Sequence, residues 1–136
     1  MRTSGHLWRD GTEFSVRGWT WFDHEFGTSQ LNENQVGWDW LSLRLKDGSD
    51  LMVYRLREED GSVTPQSSAT LRTPDGTVRH LPSDGWSFKP DPKGRSWTSP
   101  QTGATYSTKW VFNLPDRDFQ VRVRARFPEQ EMVLNQ

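Results

Sequence analysis

The stretch Gly37-Trp38-Asp39-Trp40-Leu41-Ser42-Leu43-Arg44-Leu45 decides the fold. Successive side chains of a β-strand point to opposite faces, so a strand with one buried face alternates in polarity. Leu41, Leu43 and Leu45 fall on one face here, and Ser42 and Arg44 on the other. Asp39 has the parity of the leucines and is expected to point inward, whereas Trp38 and Trp40 take the opposite parity. Asp47-Gly48 then offers a turn, and Leu51–Arg57 resumes as a second extended run. Two such runs joined by a short turn make an antiparallel hairpin.

The same grammar extends over the chain. Five Asp-Gly pairs punctuate it, at Asp10-Gly11, Asp47-Gly48, Asp60-Gly61, Asp75-Gly76 and Asp84-Gly85. Both residues tolerate positive φ, which suits tight hairpin turns. Between the turns lie short segments rich in Trp, Val, Leu, Thr and Phe. The clearest predicted strands are His6–Arg9, Phe14–Phe26, Gly37–Leu45, Leu51–Arg57, Ala69–Thr73, Tyr106–Asn113 and Phe119–Phe127, in a total of about nine or ten. In the last of these, Val121, Val123, Ala125 and Phe127 share a face, and Arg122, Arg124 and Arg126 form a solvated basic row on the other. No stretch carries a helical period. Residues 30–35 and 90–100 read as loops. The expected fold is all-β: an antiparallel, mostly up-and-down meander curled into a barrel or half-open β-sandwich.

Composition bounds the function. The 136 residues are one domain's worth of chain, only 32% of them hydrophobic, with a net charge of −1. That balance exerts no global pull on nucleic acid or anionic membrane. No apolar run approaches the length of a membrane-spanning helix, and Met1–Asp10 lacks the apolar segment of a signal peptide. Cysteine is absent, which excludes disulfides, thiolate nucleophiles and Cys-ligated metal sites. Eight Trp residues exceed what a small core needs, so some are expected to line a ligand cavity or an interface.

Chemistry concentrates in Gly18-Trp19-Thr20-Trp21-Phe22-Asp23-His24-Glu25-Phe26-Gly27. If this is one strand, Trp19, Trp21, Asp23 and Glu25 share a face, and Thr20, Phe22, His24 and Phe26 the other. Indole walls disfavour the charged form of a carboxyl, which would make Asp23 a general acid. The plainer alternative is that Asp23 and His24 stand at a strand end and satisfy backbone groups. A metal site is disfavoured, because alternation sends His24 away from Asp23 and Glu25 and the chain has only three His. No Gly-x-Ser-x-Gly marks a serine hydrolase. No cofactor is expected.

Five segments follow one another in a telling order: Gly18–Gly27, Val36–Leu45, Asp47–Arg57, Trp97–Trp110 and Glu129-Gln130-Glu131. This series resembles the lipocalin-like family that includes bacterial carotenoid 1,2-hydratases and AttH-type proteins. The resemblance covers nearly the whole chain. Relatives of this kind have two lipocalin-like halves, and it implies that this chain is the middle portion. Residues 1–27 would match the end of the first half and residues 36–136 most of the second. The missing half, or a homodimer, would then be a partner. Relatives are often exported.

In hydratase members, water adds across an isolated carbon–carbon double bond. By resemblance, Asp23 would donate the proton, Trp19 and Trp21 would stabilise the cation, and His24 or His6 would orient water. Trp21 stands where relatives often carry Tyr, and the Asp-His-Glu form is the AttH one. The rival is binding without catalysis. A lipid, isoprenoid or polyene would be held by burial against Trp38, Trp40, Tyr54 and Trp110, with Asp39 and Trp19 also in contact.

Overall fold

The computed structural model describes residues 1–24, 31–129 and 131–133. It divides into two compact units, Met1–Gln30 and Leu31–Gln136. Eleven strands occur among the described residues, with a single 3-10 turn at Pro115–Arg117 and no α-helix. All strand pairing is antiparallel.

The first unit holds the hairpin of β1 (Arg2–Arg9) and β2 (Thr12–Trp19). Asp10-Gly11 closes it as a two-residue turn with φ of 50° and 75°, the backbone that twists with the strands. β2 stops at Trp19, where its pairing with β1 ends at Arg2. The predicted strand Phe14–Phe26 is therefore too long. Residues 20–24 are irregular, so strand parity does not govern Trp21, Asp23 and His24. Glu25 and Phe26 lie outside the described residues.

The second unit begins with a meander of β3 (Gln35–Arg44), β4 (Asp50–Glu58), β5 (Ser68–Arg72) and β6 (Val78–Pro82), paired in that order. A second sheet has β7 (Ser87–Pro90), β10 (Lys109–Leu114) and β11 (Phe119–Arg124), with β10 in the middle. β8 (Ser96–Thr98) and β9 (Thr105–Ser107) form a separate short hairpin inside the stretch expected to be a loop and the strand after it. The predicted strand Tyr106–Asn113 breaks at Thr108, whose amide and hydroxyl both donate to the Arg95 carbonyl, at 3.0 and 2.6 Å. β11 ends at Arg124 because β10, its partner, begins at Lys109.

The Asp-Gly pairs serve three purposes. Asp47-Gly48 and Asp75-Gly76 close the β3–β4 and β5–β6 hairpins with positive φ at glycine alone. In each, the Asp carboxylate accepts the amide two residues on, Ser49 at 2.9 Å and Thr77 at 3.0 Å. Asp60-Gly61 makes the same turn in the connection after β4, with Ser62 at 2.8 Å. Asp84-Gly85 joins β6 to β7 and so carries the chain from one sheet to the other.

One core lies between the two sheets. Leu51, Val53, Ala69, Leu71 and Leu81 of the first meet Trp86, Phe88, Phe112 and Leu114, with Leu41, Trp110, Phe119 and Val121 packed at the margin. Register explains this set. Leu41, Val53, Ala69 and Leu81 stand opposite one another across four strands, as do Leu43, Leu51 and Leu71 across three. Phe112 is fully buried beside Trp86 and Phe119. The strands do not close into a barrel: β3 and β11 are both sheet edges among the described residues. The result is the half-open member of the two expected forms.

Candidate functional site

Among the described residues of the second unit, no further sheet packs on the other face of the first sheet. The even-numbered residues of β3 and β4 stand there in register: Trp38 opposite Leu56, Trp40 opposite Tyr54, and Ser42 opposite Met52. Trp38 and Trp40 are each 42% exposed. Thr70 and His80 continue the Met52 row, with the Thr70 hydroxyl 3.2 Å from His80 Nδ1. One end of the face is marked by charge. Asp50 lies between Arg44 at 3.2 Å and Arg72 at 3.0 Å.

Asp39 points to the core side, with the parity of Leu41. It meets Arg55, its cross-strand neighbour, at 2.8 Å, with both side chains largely buried. Arg57 approaches the same carboxylate oxygen at 3.5 Å through Nε. A charged pair at this depth persists because each partner offsets the other's desolvation.

The remaining predicted residues are distributed elsewhere. Trp110 faces the core, 4.8 Å from the Phe88 ring, and its indole N–H donates to the Ser107 carbonyl at 3.0 Å. It is thus separated by the sheet from Trp38, Trp40 and Tyr54. Trp19 is 55% exposed at the end of β2, with the Arg2 guanidinium 5.4 Å from its ring. Trp21, Asp23 and His24 are exposed in the irregular segment after it, and the His24 ring stands 6.4 Å from that of Phe22. His6 and Trp8 do share a face, their rings 6.1 Å apart, and His6 Nδ1 lies 2.8 Å from Glu13.

Two features were not predicted as site residues. Arg55 and Arg57 continue the parity of Leu51 and Val53, and that inward parity was the signal available for them. Glu131 gathers the hydroxyls of Ser99, Thr102 and Tyr106, the last two at 2.7 and 2.8 Å. These donors, Ser99 first, hold the Glu131 carboxyl below its ordinary range. The same carboxylate holds the Tyr106 phenol above its own. The contact ties the segment after β11 to the β8–β9 hairpin. Among the described residues no cluster of three or more His, Asp or Glu could hold a metal ion. Among the described residues no helix is long and apolar enough to cross a membrane.

An open, lipocalin-like antiparallel β-sandwich with an aromatic outer face is thus the class to which the geometry points. The chain belongs to the AttH-like family, whose model matches residues 1–136. It is similar to a solved AttH-type structure from Nitrosomonas europaea, with 35% identity and a TM-score of 0.72 over 83% of this chain. That match covers 34% of the other protein, so the chain spans about a third of its length. No curated protein matches the sequence.

Proposed function

We propose that this chain is a binding domain for an apolar small molecule (a lipid, an isoprenoid or a polyene) seated on the Trp38–Trp40–Tyr54 face. One observation carries the proposal: two indoles, each 42% exposed, stand in register against Tyr54 and the buried Leu56 on the side of the sheet turned away from the packed core. Aromatic rings left in water lose hydration cost when an apolar ligand covers them, and their polar tips set its orientation.

Acid-catalysed hydration of an isolated double bond would add a second role to such a domain. It would begin with proton transfer from Asp23 and needs apolar surroundings that keep that carboxyl protonated.

Retinol, a neutral polyene that quenches indole emission, is the probe. Saturable quenching is expected, weakened about tenfold or more in a Trp38→Ala/Trp40→Ala variant, equivalent to about 1.4 kcal/mol. Quenching that does not saturate, or that the double variant leaves unchanged, would overturn the proposal. Asp23→Asn then separates the two roles. A carrier keeps its binding and has no turnover to lose, while an enzyme keeps binding and loses turnover.

A further inference from the structure

Charge on the inner side of β3 and β4 is not balanced. Asp39 supplies one carboxylate to two guanidiniums. Arg55 takes the close contact at 2.8 Å and is 12% exposed. Arg57 is left at 3.5 Å, its side chain 40% exposed, and its buried Nε makes no hydrogen bond. A buried donor without a partner costs free energy that a suitable acceptor would recover.

The backbone makes room for this guanidinium. Gly37 stands opposite Arg57, just after an irregularity in register, with φ of +151°. A Cβ at Gly37 would lie 2.8 Å from Arg57 Nη2, so only glycine allows the fork to rest there. Among the described residues β3 is the sheet edge, so the guanidinium sits over its rim. Trp38, the next residue, begins the aromatic face on the other side of that rim. Glu58, the neighbouring carboxylate in the chain, has the opposite parity to Arg57.

We propose that Arg57, seated over Gly37 and anchored by Asp39, receives the carboxylate head of an amphiphilic ligand whose apolar body lies on the Trp38–Trp40 face. The exposed end of a guanidinium offers parallel N–H donors that suit a carboxylate. Arg55 takes the close contact with Asp39 at 2.8 Å, so the acid holds the second guanidinium only at 3.5 Å. This assignment rests on the apolar-binding function proposed above and narrows its ligand to an acid.

Retinoic acid and retinol share one polyene and differ in the head, so they separate the two claims. Wild-type protein is expected to bind retinoic acid about tenfold more tightly than retinol, the scale of one charge-assisted contact. Arg57→Gln should remove that preference by weakening retinoic acid binding about tenfold. Gly37→Ala, which displaces the fork but keeps its charge, should reduce the preference too. Far-ultraviolet circular dichroism of both variants confirms that they fold. Sodium acetate, compared with sodium chloride at equal ionic strength, should compete with retinoic acid only weakly. Strong competition would mean a site for a free small anion and would overturn the amphiphile. Equal affinity for the two retinoids in wild type, or a preference that survives Arg57→Gln, would overturn the head-group assignment while leaving apolar binding intact. Failure of both retinoids to bind would overturn both.

Discussion

Removing the Asp39 carboxylate is the most informative single perturbation of the sheet. Asp39 and Arg55 are 16% and 12% exposed and meet at 2.8 Å. Breaking a buried pair strands the surviving charge, at a cost of about 3–5 kcal/mol. Residual exposure puts Asp39→Ala near the bottom of that range, at about 3 kcal/mol. Arg55→Ala should cost less, about 2 kcal/mol, because Arg57 stands 3.5 Å away to face the orphaned acid. The double variant strands no buried charge, so it should cost less than the sum, by a coupling of about 1–3 kcal/mol. Arg57→Ala should cost under about 1 kcal/mol, since that side chain is 40% exposed and makes only the longer contact. Urea unfolding followed by Trp fluorescence reads each value. For Asp39→Ala the midpoint should fall by about 1–3 M at an unchanged slope. Additive single variants, or an Arg57 loss as large as that of Arg55, would refute the division of labour between the two arginines.

Two further outcomes follow from other parts of the molecule. Phe112→Ala removes a fully buried ring next to Trp86 and Phe119 and should cost about 3–5 kcal/mol; a loss below about 1 kcal/mol in a thermal melt would mean that the two sheets do not share this core. The lowered carboxyl of Glu131 contributes stability above its unfolded value that is lost as pH falls through the folded one. The raised phenol of Tyr106 contributes below its unfolded value and is lost as pH rises through the folded one. Glu131→Gln should therefore bring one tyrosine's alkaline absorbance titration down toward its ordinary range, and an unmoved titration would exclude the contact.

The sheet was legible because one face is buried, and burial fixes parity. The inward placement of Leu41 of β3 and Val121 of β11 could be assigned from alternation alone. So could the inward direction of Asp39. Its partner was less visible: Arg55 shares that parity, but cross-strand register depends on a turn and a bulge. Trp110 shows the limit of counting aromatics. It has the same residue type as Trp38 and Trp40, but lies on the packed side because β10 belongs to a different sheet. Alternation failed after Thr20 because parity holds only while a strand is paired, and the last backbone bonds of this hairpin join Thr20 to Met1. The Glu131 contact bridges residues about thirty positions apart through hydroxyls, which carry no periodic signal.

The most direct test of the central claim is to watch the indole N–H resonances of the isotopically labelled protein during a retinol titration. Trp38 and Trp40, assigned by single substitution, should shift progressively to saturation. Trp86 and Trp110, whose N–H groups donate to the carbonyls of Leu81 and Ser107, should stay in place. Movement of Trp86 and Trp110 with Trp38 and Trp40 unmoved would place the ligand between the sheets and contradict the outer-face site.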